Sequence, residues 1–182
     1  MKRLFLSTAL VAAALMATTS TAVAETQVTR TEVPRAAAVN VMYWAHQAST
    51  TLVMDVRNRQ SANGTQIQLY KHNGTTAQWF VETPDSTHSG FYIKSYFNRN
   101  KCLSVDGYGG HGALVRLWDC RGQSNQRFHR YYVGGNRYEI SPEYNLNLCV
   151  SVRGSTAAKR AIEVQNCNGT DPRHKWDVTG VF

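Results

Sequence analysis

Residues 101–128 read KCLSVDGYGGHGALVRLWDCRGQSNQRF, and the fold is decided in this stretch. Two runs, Lys101 to Val105 and Leu114 to Trp118, alternate apolar and polar side chains, the two-residue period of a strand with one face buried. A glycine-rich segment separates them and supplies a turn, so the runs form a hairpin. Cys102 is the second residue of the first run, and Cys120 lies just past the second run, 18 positions on. The stretch closes on the triplet Gln126-Arg127-Phe128.

The same pattern occurs twice more. Residues 43–80 contain LVMDV at 52–56, TQIQLYKHNG at 65–74 and AQWF at 77–80. Residues 138–176 contain NLCVSV at 147–152, AIEVQNCNG at 161–169 and RHKW at 173–176. The sequence is a threefold internal repeat, with copies opening at Tyr43, Tyr92 and Tyr138. One copy carries too few apolar residues for a core, so Leu69, Leu117 and Val164 with Phe80, Phe128 and Trp176 are expected to point inward and meet on a shared axis. No twelve-residue window after residue 24 shows a helical stripe, so the fold class is all-β. Asn73-Gly74 and Asn168-Gly169 hold equivalent places in their copies and read as turns.

Four cysteines allow three pairings. Cys149 and Cys167 repeat the spacing of Cys102 and Cys120, which favours two copies of one local bridge. Zinc is a poor alternative, because there is no C-x-x-C and no histidine at ligand spacing from a cysteine.

The 182-residue chain has a formal charge of +8. Its first 24 residues have the layout of a secretory signal peptide: Lys2 and Arg3, an apolar run from Leu4 to Met16, and a small-x-small end at Ala22-Val23-Ala24. The expected location is therefore secreted, where disulfides persist. The apolar run is short for a membrane span, and no transmembrane segment is expected in the mature chain. Removing Lys2 and Arg3 lowers the charge by two units. The remaining basic residues are scattered, with no run longer than two, which argues against a nucleic-acid groove. Residues 25–39 are polar, lie outside the three copies and read as an extended leader or linker, mobile and open to proteolysis near Arg30 and Arg35. Residues 40–182 form the domain.

The three copies, with the pattern C-[LV]-S-V … L-W-D-C … N-Q-x-[FW] kept best in the middle one, resemble the ricin-type lectins, the Q-x-W β-trefoil family. The resemblance covers roughly residues 41–180 and implies a β-trefoil of three tandem pseudo-symmetric repeats with up to three shallow sugar sites. In such a site a carboxylate and an amide bond the hydroxyls, and an aromatic ring packs on the C–H face. Carried over residue by residue, the first copy offers Asp55 as carboxylate, Tyr70 as ring, and Gln68 and Gln78 as amides, while Ala77 stands where an Asn is expected and Asn73 lies nearby. The second offers Trp118 as ring and Asn125 as amide, but Ser104 replaces the carboxylate and Arg116 the amide before the ring. Asp106 reaches the same hollow only if its turn bends to suit. In the third, Ser151, Gln165 and Arg173 replace all three groups.

No catalytic constellation assembles. None of the six histidines sits in a nucleophile motif such as G-x-S-x-G, and the carboxylates are scattered rather than paired across a cleft. The expectation is a carbohydrate-binding protein with no catalytic residues, no metal and no cofactor. The alternative is a non-catalytic, surface-binding or docking subunit of an exported toxin-like assembly, with degenerate sugar sites and a protein partner.

Overall fold

The structure is a computed structural model, and it describes residues 30–32 and 41–181. The signal-peptide reading of residues 1–24 falls outside the described residues. After a short β1 (Thr31–Glu32), twelve strands follow in three sets of four. The first set is β2 (Val41–His46), β3 (Ser49–Val56), β4 (Thr65–Lys71) and β5 (Phe80–Pro84). The second is β6 (Phe91–Ser95), β7 (Lys101–Val105), β8 (Val115–Asp119) and β9 (Arg127–Tyr132). The third is β10 (Arg137–Pro142), β11 (Leu148–Val152), β12 (Ile162–Asn166) and β13 (Trp176–Gly180). Among the described residues there is no α-helix, only four single 3-10 turns, so the all-β expectation holds.

The first and last strands of each set pair with one another, β2 with β5, β6 with β9 and β10 with β13. The sets join through β5–β6, β9–β10 and β13–β2. Six strands thus close a ring, and where β9 runs past β6 its edge at Tyr131 and Tyr132 is taken up by β1. The middle strands of each set form a hairpin: β3–β4, β7–β8 and β11–β12. Register fixes the equivalences. Phe80, Phe128 and Trp176 lie opposite Met42, Phe91 and Tyr138, so the third copy starts one residue out of step with the Tyr43, Tyr92 and Tyr138 alignment, and Glu139 is the counterpart of Tyr43 and Tyr92.

The core repeats in threes because the sequence does. Large and branched side chains fill matching places: Trp44, Ile93 and Ile140; Met54, Leu103 and Val150; Leu69, Leu117 and Val164; Phe80, Phe128 and Trp176, all buried. Each large apolar group so buried contributes about 1.5–3 kcal/mol before entropy is counted. The loop of each hairpin leans on the next copy. Gly64 N–H donates to Leu117 O, Gly112 N–H to Val164 O and Lys159 N–H to Leu69 O. No copy is therefore complete without its neighbour.

Both disulfides form as the spacing favours, Cys102–Cys120 and Cys149–Cys167. In the first copy Val53 and His72 hold these places, and the His72 ring instead stacks on Tyr43 at 4.7 Å between centroids. The leader expectation needs correction at Arg30–Glu32. Thr31 and Glu32 pair with Tyr132 and Tyr131 of β9. The Arg30 guanidinium lies 2.8 Å from the buried Glu139 carboxylate, donates to Ser141 Oγ at 2.8 Å, and sits over the Tyr131 ring. A buried carboxylate requires a counter-charge, and this segment brings it. Arg35 lies outside the described residues.

Candidate functional site

The first hairpin carries a polar hollow of about 520 Å3. Asp55 on β3 and Gln68 on β4 face each other in register, which places both side chains on one face of the hairpin. Gln68 Nε2 donates to Asp55 Oδ1 at 2.8 Å, and Gln78 Nε2 reaches Oδ2 at 3.3 Å. A carboxylate has about four acceptor positions, so capacity remains for a ligand hydroxyl. Burial pushes the Asp55 carboxyl above its ordinary value of 3.8, against the hydrogen bonds from Gln68 and Gln78, which pull it down. Tyr70, two residues beyond Gln68, is half-buried and lines the hollow with Asn73 and Thr75.

Gln78 does not line this hollow. It is fully buried; its amide also donates to Lys71 O at 2.8 Å and its oxygen accepts Asn73 N–H at 2.9 Å. Gln126 makes the matching pair of contacts with Asp119 O and Arg121 N–H, and His174 Nδ1 accepts Asn168 N–H. The first residue of each closing triplet is thus a brace across the end of its hairpin. Gln78 acts from behind, by holding Asp55. Asn73 caps its own turn, accepting from Thr75 N–H and Oγ.

The second hollow is small, about 100 Å3. The turn after β7 does bring Asp106 to it, beside Trp118 and Asn125. Asp106 is engaged internally: Arg116 Nε donates to it at 2.6 Å and the Trp118 indole N–H at 3.2 Å. Asn125 is buried, with its amide donating to Val105 O and Ser104 Oγ. In the third copy Ser151 is fully buried, and Glu163 opposite it is taken up by Arg153 and Gln165.

Among the lining residues of the first hollow that escape a site-by-site reading are Arg57, Asn58, Arg59 and Lys159. Arg57 to Arg59 were accessible through alignment, since Arg57 follows β3 as Asp106 follows β7 and Arg153 follows β11. Lys159 was not, because it belongs to the third copy and reaches the first through the loop-on-neighbour packing. Among the described residues one cluster has ligand-like spacing for a metal, Glu139, Cys149 and His174, and its sulfur is committed to the Cys149–Cys167 bridge.

A closed ring of six strands capped by three hairpins is the architecture, and comparison with known proteins gives the family. Residues 89–181 match the ricin-type beta-trefoil lectin domain, and residues 39–118 match the ricin-type beta-trefoil lectin domain-like model. The chain belongs to the ricin-type β-trefoil lectin family. Serine protease 1 of Rarobacter faecitabidus is 36% identical over a match covering 42% of this chain and 21% of that protein. The matched stretch is thus about a fifth of that relative's length. Among solved structures, the designed threefold-symmetric protein ThreeFoil superposes with a TM-score of 0.70 at 17% identity, covering 76% of this chain and 97% of that one. The C-half of an earthworm R-type lectin, solved in complex with GalNAc, superposes with a TM-score of 0.58 at 14% identity, covering 78% of this chain and 98% of that one. At these identities the likeness speaks for the fold alone.

Proposed function

We propose that this chain is a secreted, non-catalytic carbohydrate-binding protein, a β-trefoil of three pseudo-symmetric repeats that takes sugar in the hollow of the first. The observation that carries this reading is Asp55: a carboxylate on the hollow's floor, oriented by two amides, with the Tyr70 ring on the wall. Hydroxyls of a sugar would bond Asp55 and Gln68, while its C–H face would pack on Tyr70. Family membership and the GalNAc held by the earthworm lectin support the ligand class. Two disulfides support secretion, since such bridges persist in oxidising compartments. The protease named among the relatives does not lend its activity, because the match spans only 21% of it.

The test is calorimetric titration with N-acetylgalactosamine and galactose. Asp55→Ala removes a charged acceptor worth about 1.5–3 kcal/mol, so affinity should fall about ten- to a hundredfold, with the lower end expected of a shallow site. An Asp55→Ala protein that folds and binds at full strength places the sugar elsewhere. A wild-type protein that binds no glycan at all favours the docking-subunit reading, for which the internally paired charges of the second and third hairpins are the support.

A further inference from the structure

The three hairpins treat one charged position differently. The residue after β3, β7 or β11 is Arg57, Asp106 or Arg153. Across the hairpin, at the place opposite Asp55, Ser104 or Ser151, stands Gln68, Arg116 or Glu163. In the second copy the two form the Asp106–Arg116 pair, and in the third the Arg153–Glu163 pair. In the first copy the opposing residue is a neutral amide, itself bonded to Asp55. Arg57 is exposed and, among the described residues, has no carboxylate within ion-pair distance. Arg59, whose guanidinium lies 5.5 Å over the Phe97 ring, and Lys159, brought in from the third copy, are exposed and unpaired in the same sense. All three line the one hollow, and its single carboxylate, Asp55, is buried on the floor.

The hollow therefore has a hydroxyl-binding floor and an open cationic rim. From this we infer that its ligand is an acidic sugar, one bearing a carboxylate or a sulfate, with Arg57, Arg59 and Lys159 as the residues that select the acid. The inference rests on the sugar-site reading above and specifies its ligand class. A carboxylate or sulfate at the rim would accept charge-assisted hydrogen bonds, and arginine's planar fork suits either group. The gain is moderated by solvent, because exposed ion pairs are screened over about 8 Å at physiological salt.

The experiment compares galactose with galacturonic acid and galactose 6-sulfate on the intact, disulfide-bonded protein, with polyglutamate as a sugar-free polyanion. One or both acidic sugars should bind about three- to tenfold tighter than galactose, with the advantage shrinking as salt rises. In an Arg57→Gln, Lys159→Gln double variant the ratio of acidic to neutral affinity should fall toward one. Both side chains are exposed, and a melting curve checks that the variant folds. Equal affinity for acidic and neutral sugars overturns the inference and leaves the sugar site standing. Polyglutamate binding as tight as the acidic sugars, and indifferent to Asp55→Ala, overturns it in favour of general polyanion attraction. Failure of every sugar to bind overturns both the inference and the reading beneath it.

Discussion

The first and second copies share a backbone and differ in what they do with charge and with covalent bonds. The second closes its hairpin with Cys102–Cys120 and pairs Asp106 with Arg116 over a small hollow. The first has Val53 and His72 in place of the bridge, a neutral Gln68 in place of Arg116, and a hollow several times larger. The same hairpin can thus be built as a self-satisfied support or as a site with unspent hydrogen-bonding capacity. Which one results depends on two or three side chains, while the ring beneath stays unchanged.

The bridge is where the two copies should differ most. In Cys102→Ala, Cys120→Ala, urea unfolding should show a loss of about 3 kcal/mol, the value for a loop of this length in the chain-entropy model. The matching change in the first copy, His72→Ala, removes only the stacking on Tyr43 and should cost no more than about 1.5 kcal/mol. Equal losses in the two would remove the distinction between a covalently closed and an open hairpin.

Acidification should separate the copies next. Burial raises the Asp55 carboxyl above 3.8, so it takes up a proton earlier than an ordinary aspartate as pH falls. The hollow then loses its charged acceptor, and titrations with galactose should show binding falling with a midpoint above 3.8. The linkage for folding runs the other way. The folded state binds the proton more readily than the unfolded chain, so through this window the contribution of Asp55 to stability rises as pH drops. A midpoint at or below the ordinary value would mean that the buried carboxylate is not the group that binds.

The smallest effect belongs to Trp118. Its ring sits in the second hollow with its indole N–H on Asp106, where the carboxylate is also engaged by Arg116. Trp118→Ala should leave galactose affinity within about twofold, since the loss is confined to one internal contact of a kind worth about 1 kcal/mol to stability. A loss as large as that from Asp55→Ala would make the second hollow a binding site in its own right.

Much of this was legible in the residues. The matched cysteine spacings, the recurring triplets and the two-residue periodicity determine three β hairpins, two bridges and the inward-facing Leu69, Leu117 and Val164, because burial and strand period are local properties that repeat with the sequence. Asp55, Gln68 and Tyr70 could be picked out through the resemblance to a family whose pattern puts a carboxylate, an amide and a ring at these positions; of the three, Gln68 and Tyr70 also share a face, being two apart on one strand. What only the tertiary structure decided depends on contacts between distant segments. Gln78 braces the end of its hairpin because its amide spans Lys71 O and Asn73 N–H. Arg30 left the linker because a buried Glu139 more than a hundred positions away needed its charge. Lys159 joined the first hollow because each hairpin loop rests on the next copy, and a ring of three puts the last repeat beside the first.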